Sequence, residues 1–164
     1  FARISRMQDI RTAMPILARQ EGVWDGVYRY YDDTGRLIDE HRSRLVCRLP
    51  RSGPYDYHQT NHYTWADGRT EVRDFPAKFR DGRIRFSNEL IEGWCAEVPL
   101  DDFRRTLMLY WKRVGEPDTY LYEMIQIDDD ARQRSRVWPW ITGGHIRMRT
   151  LIDERKVSDS TEGY

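Results

Sequence analysis

Polar residues alternate along two neighbouring segments of the chain, Gln59, Asn61 and Tyr63 in the first and Glu71 and Arg73 in the second. Alternate residues of a β-strand point to the same face of the sheet, so each set is expected to share one side of its strand. A carboxylate on such a face has a raised pKa in an apolar interior and can act as a general base. The pattern indicates cofactor-free chemistry in which Glu71 accepts a proton, Tyr63 donates to a developing oxyanion, and Arg73 holds a carboxylate or phenolate.

Glu123 is the second candidate base, since it lies in a later segment where aromatic and polar residues alternate. The catalytic candidates are therefore Glu71, Glu123, Tyr63 and Arg73. An inert Glu–Arg ion pair across two strands explains the same residues. We favour the ion pair over catalysis, because ion-pair networks also occur without chemistry.

Aromatic residues are frequent in the second half of the chain and suggest the wall of a ligand pocket. Ligand-binding barrels combine aromatic walls with a few fixed polar groups, whereas small barrels without a ligand are filled by aliphatic side chains. The expected ligand-binding residues are Gln59, Asn61, Tyr63, Arg73, Trp94, Trp111, Tyr122 and Trp138. Ordinary packing of the sheet faces is the alternative, since aromatic residues favour strands in any case.

Metal and cofactor chemistry have little support in the sequence. His58 and His62 lie on the same side of one expected strand, but residues four apart on a strand are about 13 Å apart, too far to share a zinc ion. Haem held by a single histidine is a minor alternative. No Ser-His-Asp spacing, nucleophile elbow, Walker loop or G-x-G-x-x-G fingerprint occurs. We therefore expect no metal and no cofactor.

The charges of the chain balance, with 27 basic and 27 acidic residues. Because neither sign dominates a long block, binding to nucleic acid or to an anionic membrane is not expected. Cys47 and Cys95 form no CxxC motif and are expected to be buried, reduced thiols. The sequence has no long apolar stretch and no secretory signal, which predicts a cytoplasmic protein. Formation of a homodimer is left open.

Two patterns of apolar residues divide the chain. Residues 1–20 carry apolar residues at helical spacing, which predicts an amphipathic helix that covers the domain and bends near Met14 because of Pro15. Residues 21–157 are short segments rich in Val, Ile, Tyr, Trp and Thr, separated by turn residues. A meander of this length must close to protect its edges. The predicted fold is mainly β, a single antiparallel up-and-down barrel of about 8 to 10 strands, with residues 158–164 as a tail.

The sequence around Asp81-Gly82 predicts which residues share the inner face. A two-residue turn would pair Phe79 with Ile84, and the same face extends backwards to positions 73 and 71. If the turn at residues 66–68 has three residues, positions 59, 61 and 63 share this face. If it has two, they face away. Both registers stay open, because a slip of one residue inverts a strand.

Gly22-Val23-Trp24 follows directly after the helical segment and resembles the G-x-W element that opens lipocalin and other calycin barrels. In that superfamily the tryptophan plugs the closed end of the barrel, and an arginine of the last strand covers its ring. The resemblance implies that Trp24 takes this structural part together with Arg147 or Arg149. Such a contact contributes about 0.5 to 2 kcal/mol.

A second resemblance covers almost the whole barrel and rests on four runs. They are Gln59-Thr60-Asn61-His62-Tyr63-Thr64-Trp65, Asp67-Gly68-Arg69-Thr70-Glu71, Thr119-Tyr120-Leu121-Tyr122-Glu123 and Arg149-Thr150-Leu151-Ile152-Asp153-Glu154. The runs are similar to a lipocalin-like family of unknown function, which shares its domain with a chloroplast ATP synthase biogenesis factor. The resemblance implies the barrel fold and transfers no catalytic residue.

Three functions follow from these features. The main hypothesis is the binding of a small aromatic or amphipathic molecule inside the barrel. The alternative is a cofactor-independent lyase or isomerase that acts on a small aromatic substrate with an inward carboxylate as base. A role as an assembly or scaffolding factor follows from the family resemblance alone.

Overall fold

The computed structural model describes residues 9–99 and 102–164. Ten antiparallel strands pair with their neighbours in chain order, and the first strand also pairs with the last, which closes the sheet into a barrel. The strands are β1 (Gly22–Asp32), β2 (Leu37–Arg48), β3 (Tyr57–Thr64), β4 (Thr70–Arg80), β5 (Arg83–Ser87), β6 (Ile91–Glu97), β7 (Thr106–Arg113), β8 (Glu116–Ile127), β9 (Gln133–Thr142) and β10 (His145–Ser158). The predicted single up-and-down barrel is confirmed.

Two short helices, α1 (Ile10–Ala13) and α2 (Pro15–Ala18), precede the barrel. The chain leaves the helical conformation at Met14, as expected from Pro15, because the ring of a proline is tolerated at the start of a helix and not in its interior. The part of the predicted helix that contains Ile4 and Met7 lies outside the described residues.

Helix α2 covers one end of the barrel, which we call the helix end. Ile16 and Leu17 are buried there, and their backbone N–H groups donate to the Glu97 carboxylate at 2.5 and 3.2 Å. Glu97 is the last residue of β6, so it ties the start of α2 to the rim of the barrel. The opposite end of the barrel, where β1 turns into β2, is called the far end.

The β4–β5 hairpin has the predicted register, with Phe79 opposite Ile84 and two residues in the turn. Those residues, Asp81 and Gly82, both have positive φ angles. A two-residue turn of this kind has a backbone twist that matches the right-handed twist of its strands. The turn chemistry in the sequence therefore predicted the pairing correctly.

The β3–β4 turn decides between the two registers left open by the sequence. The backbone N–H of Trp65 donates to the carbonyl oxygen of Arg69 at 2.9 Å, which leaves three residues in the loop. Tyr63 then lies opposite Glu71, and Asn61 lies opposite Arg73. Positions 59, 61, 63, 71 and 73 consequently share one face of the sheet.

All ten strands contribute to one apolar core through their inward residues. Buried representatives of the successive strands are Trp24, Leu45, Tyr57, Ala77, Ile84, Ile91, Leu107, Leu121, Trp138 and Ile152. Cys47 and Cys95 are free and buried, as expected. Within residues 9–99 and 102–164, no helix has both the length and the apolar character needed to span a bilayer.

The C-terminal tail returns to the barrel wall. A guanidinium nitrogen of Arg48 on β2 donates to the carbonyl oxygen of Tyr164 at 2.8 Å, and the Arg44 guanidinium lies 5.6 Å from the centre of the Tyr164 ring. These contacts attach the end of the chain to the outer face of β2.

Candidate ligand-binding site

The barrel interior contains a cavity that runs from the helix end towards the far end. The cavity volume is about 120 Å³, taken as the space that the centre of a water molecule can occupy. One water needs roughly 10–15 Å³ in this measure, so the cavity has room for a small ring compound rather than for a single water.

One side of this main cavity is apolar and aromatic. Its lining from β5 to β9 includes Ile84, Phe86, Cys95, Leu107, Leu109, Trp111, Ile125, Trp138 and Trp140. The rings of Trp111 and Trp140 meet edge to face with centroids 5.4 Å apart, and Trp138 meets Trp140 at 6.1 Å. Edge-to-face contacts of this kind stabilise the rings in fixed orientations. Trp111 and Trp138 therefore lie where the sequence predicted a wall.

A row of hydrogen bonds follows β3 along another side of the cavity. The Tyr57 hydroxyl donates to Gln59 Oε1, Gln59 Nε2 donates to Asn61 Oδ1, and Asn61 Nδ2 donates to the Tyr63 hydroxyl, each at 2.7 Å. All four residues line the cavity because the pleat turns alternate residues of a strand inward. Gln59, Asn61 and Tyr63 are thus brought together as predicted, and their role towards a ligand stays a prediction.

Two arginines and two glutamates form a buried network in the barrel. Arg136 donates through Nε to Glu123 and through Nη1 to Glu154 at 3.3 Å, and Arg134 Nε donates to Glu154. The four side chains are between 0 and 8% exposed, so their charges must cancel within the group. Glu123 faces inward as expected, but its carboxylate is already bound by a guanidinium.

The pKa values of both arginines reflect this pairing. Burial alone would lower the pKa of Arg136, but the carboxylates of Glu123 and Glu154 outweigh it and hold the pKa well above its ordinary value. Burial also works against the charged form of Arg134, but the carboxylate of Glu154 favours it, and the pKa of Arg134 is raised as well. Both guanidiniums are therefore permanent cations inside the barrel.

Tyr28 lies beside this network and accepts a hydrogen bond from Arg136 Nη1 at 3.0 Å. Burial raises the pKa of Tyr28 well above its ordinary value and also raises the pKa of Tyr63. Both phenols stay protonated at neutral pH, so they can act towards a ligand as neutral hydrogen-bonding groups.

Glu71 and Arg73 form an ion pair at the far end, with Arg73 Nε donating to Glu71 Oε1 at 2.6 Å. Their side chains are 40 and 38% exposed, so the pair lies at the rim rather than deep inside the barrel. Arg73 lines the main cavity, whereas Glu71 lines a side hollow next to it. Glu71 and Arg73 lie on the same strand, so this pair differs from the cross-strand ion pair favoured from the sequence, to which Glu123 of β8 and Arg136 of β9 correspond. A catalytic role for Glu71 or Arg73 stays a prediction.

His41 is an inward residue that the sequence analysis did not single out. Its side chain is 4% exposed, and its Nδ1 lies 2.9 Å from Asp39 Oδ2. The imidazole stacks on Tyr28 with ring centroids 5.1 Å apart and lies 4.4 Å from the Trp65 ring. The spacing of Asp39 and His41, two residues apart on one strand, is the signal that could have indicated this pair.

The expectation that Trp94 and Tyr122 line the interior is wrong. Cys95 and Glu123 point inward, so their chain neighbours Trp94 and Tyr122 point outward. Both rings pack against Tyr110 on the outer face of the barrel, with centroid distances of 6.0 and 4.9 Å. Aromatic residues favour strands on either face, so composition indicated the strand and not the side.

Trp24 is fully buried at the helix end, and its Nε1 donates to the carbonyl oxygen of Gln20 at 2.9 Å. The cations over its ring are Arg134 at 4.4 Å and Lys156 at 5.3 Å. The prediction that Arg147 or Arg149 covers the ring is therefore wrong. On β10 the buried residues Thr150, Ile152 and Glu154 have even numbers, so both predicted arginines point away from the interior, and β9 supplies the closest cation instead.

Among residues 9–99 and 102–164, no cluster of three metal-ligating side chains occurs.

No family model and no curated protein matches the sequence. Solved structures do share the fold. The S-type phycobiliprotein lyase from Guillardia theta superposes with a TM-score of 0.68 at 12% identity, over 91% of this chain and 97% of the lyase. The protein Rv2717c from M. tuberculosis gives a TM-score of 0.60 at 13% identity, over 88% of this chain and 96% of that one.

A protein of unknown function from the DUF3598 family of Nostoc punctiforme has a TM-score of 0.64 at 14% identity. The match covers 86% of this chain and 49% of that protein, so the chain spans about half the length of this relative. At these identities the similarity extends to the fold, and the chain has a lipocalin-like barrel. A link to the chloroplast ATP synthase biogenesis factor is not shown.

Proposed function

We propose that the protein binds a small, neutral ring compound in the main cavity and contacts it through hydrogen-bond donors. The observation that carries the proposal concerns three buried donors on residues that line the cavity. Gln20 Nε2, Arg134 Nη2 and Trp138 Nε1 have no hydrogen-bond partner among the described residues. A buried donor without a partner costs about 1–3 kcal/mol, so a ligand that brings acceptor atoms recovers this free energy on binding.

The charge balance of the interior favours a neutral ligand. The two buried arginines are matched by two buried glutamates. A carboxylate or sulfonate bound next to them would add a charge without a partner, and an unpaired buried charge is strongly unfavourable. The aromatic wall would then contribute most of the affinity, and carbonyl or nitro oxygens of the ligand would meet the free donors.

The lyase or isomerase alternative has less support in the form that the sequence suggested. Glu71 and Glu123, the two expected bases, are each bound to an arginine. We therefore propose binding as the primary function. The proposal rests on the cavity, because the similarity to the phycobiliprotein lyase is one of fold.

A neutral fluorescent ketone tests the proposal. Prodan, a naphthyl ketone dye whose emission moves to shorter wavelength in apolar surroundings, should bind the wild-type protein with a blue shift. Trp138→Phe keeps most of the apolar surface and removes one free donor, so it should weaken binding about two- to tenfold, the range that one hydrogen bond of about 0.5–1.5 kcal/mol gives. The matched control is Trp94→Phe, which makes the same change on the outer face.

Three results decide the outcome. Absence of a blue shift at saturating dye would overturn the proposal for the wild-type protein. Equal weakening by the two tryptophan substitutions would show that the dye does not use the donor in the cavity. The anionic dye anilinonaphthalene sulfonate should bind more weakly than prodan, and the reverse order would contradict the argument from charge.

A further inference from the structure

Asp39, His41 and Trp65 form a chain of oriented groups at the far end of the barrel. Trp65 Nε1 donates to Asp39 Oδ1 at 3.1 Å, and Asp39 Oδ2 lies 2.9 Å from His41 Nδ1. A neutral imidazole whose Nδ1–H donates a hydrogen bond to a carboxylate keeps a lone pair on Nε2. Among the described residues, His41 Nε2 has no hydrogen-bond partner. This series of hydrogen-bonded side chains is the arrangement that a proton acceptor requires, with Asp39 and Trp65 as positioning residues.

We propose that His41 accepts a proton from a weakly acidic phenol bound at the far end of the cavity. This inference rests on the proposed function, because the ring of the phenol would occupy the main cavity. It assigns proton transfer to a residue other than Glu71 and Glu123, the two carboxylates indicated by the sequence.

The shape of the far end supports a ligand that reaches His41. A side hollow lined by His41 and Asp39 shares Tyr30, Tyr63 and Arg73 with the wall of the main cavity. His41 Nε2 has almost no accessible surface, so the side chains of this shared wall have to move apart before the hydroxyl of a ring in the main cavity meets the imidazole. An acceptor group at the opposite end of such a ring would point towards the free donors of the cavity. This geometry favours phenols with an electron-withdrawing acceptor substituent, whose acidity is also close to that of an imidazolium.

The proton step conserves charge within the site. The O–H bond of the phenol breaks, an N–H bond forms at His41 Nε2, and the electron pair of the O–H bond remains on the phenolate oxygen. The new imidazolium is balanced by Asp39, so the total charge of the site does not change. No oxidant, reductant or metal takes part in the transfer.

The other charged and titratable groups around His41 do not compete for the proton. Tyr28 and Tyr30 on β1 and Tyr63 on β3 have pKa values raised by burial, so they stay protonated. On β4, Glu71 and Arg73 are paired with each other. At this end of the described barrel, His41 Nε2 is consequently a buried nitrogen without a hydrogen-bond partner.

A second His–Asp pair provides a matched control on the outer face. His58 Nε2 lies 2.9 Å from Asp74 Oδ1, the same separation as in the inner pair. His58 is 35% exposed and does not line the main cavity or the side hollow. Its removal should therefore leave the chemistry of a bound phenol unchanged.

The experiment measures the ionisation of para-nitrophenol, whose phenolate absorbs at longer wavelength than the phenol. In the wild-type protein the bound probe should have an apparent pKa about one unit below its value in water, a tenfold gain in phenolate, because the imidazolium–carboxylate pair stabilises the anion. His41→Phe keeps an aromatic ring in the stack and should abolish the shift. Asp39→Asn should reduce it, and His58→Phe should retain it in full.

Each result separates this inference from the proposed function. If para-nitrophenol binds but titrates as in water, the proton acceptor is refuted while ligand binding stands. If neither para-nitrophenol nor prodan binds, the proposed function fails and the inference with it. If His41→Phe does not fold, Asp39→Asn decides, because Asp39 is 40% exposed and its substitution perturbs the core less. An unchanged shift in folded Asp39→Asn would then overturn the role of the pair.

Discussion

Replacing Glu154 by glutamine should destabilise the barrel strongly, because Glu154 is the carboxylate that contacts both buried arginines. It accepts hydrogen bonds from Arg134 and Arg136, and its side chain is completely inaccessible to solvent. The substitution keeps the shape and removes the charge, which leaves two guanidiniums and one carboxylate, that of Glu123, inside the barrel. Removing one partner of a buried pair costs about 3–5 kcal/mol.

That loss is a large part of the stability of a typical domain, which is about 5–15 kcal/mol. For a chain of this size each kcal/mol changes the melting temperature by roughly 2–4 °C, so Glu154→Gln should melt roughly 6–20 °C lower than the wild type. Urea unfolding followed by tryptophan fluorescence measures the free energy directly. The slope of the transition should stay unchanged if the folded state keeps its compactness.

Two further variants make the test specific to the buried charge. Glu40→Gln breaks an ion pair with Arg29 whose separation is 2.9 Å but whose side chains are 50 and 34% exposed, so it should cost at most about 1 kcal/mol. Adding Arg134→Gln to Glu154→Gln restores the charge balance and should recover part of the loss. The reasoning is refuted if Glu154→Gln is as mild as Glu40→Gln, or if the double variant loses the sum of both single effects.

Two other perturbations give results with defined signs. Gly93→Ala should destabilise the protein by about 1–3 kcal/mol or more in urea unfolding, because the added Cβ would lie 1.9 Å from the carbonyl oxygen of Tyr110. The control is Gly68→Ala, whose Cβ would meet no atom within 4 Å and which carries only the strain of a positive φ. Equal losses would contradict the steric argument. Burial raises the pKa of Glu97 above its ordinary value of 4.5. The folded protein therefore holds the Glu97 proton more tightly than the unfolded chain does. The stability that this gives is present in full below pH 4.5 and is lost as pH rises through the folded-state pKa. The unfolding free energy of Glu97→Gln relative to wild type should therefore rise with pH above about 4.5, and a flat or falling difference would refute this assignment.

Turn chemistry is the part of the fold that local sequence determines best. The hairpin at Asp81-Gly82 could be predicted because both residues accept the positive φ angles of a two-residue turn. The turn after Trp65 could not, because the same residues suit a two-residue and a three-residue loop. One backbone hydrogen bond, from Trp65 to Arg69, distinguishes them, and it depends on how β3 and β4 pair along their whole length.

The errors at Trp94, Tyr122, Arg147 and Arg149 concern position within a strand. All four residues have the wrong parity, and both arginines also lie at the far end of β10, where Arg149 is opposite Tyr31, whereas Lys156 is opposite Trp24. Parity is set by contacts with neighbouring strands, such as the pair between Glu123 and Arg136 from β8 and β9. Residues that are far apart in sequence make these contacts, so a single sequence does not display them.

Ion pairing in the folded barrel explains why Glu71 and Glu123 have less support as proton acceptors than the sequence suggested. Glu71 and Glu123 looked like bases because a buried carboxylate without a partner would be one. The folded barrel gives each of them an arginine, which balances the charge and donates a hydrogen bond to one carboxylate oxygen. His41 has the opposite environment, since its only polar partner among the described residues orients Nδ1 and leaves Nε2 free. A neutralised network next to the cavity and a free base at its far end would select a neutral ring and then ionise it, so ligand choice and proton transfer would depend on different residues of one barrel.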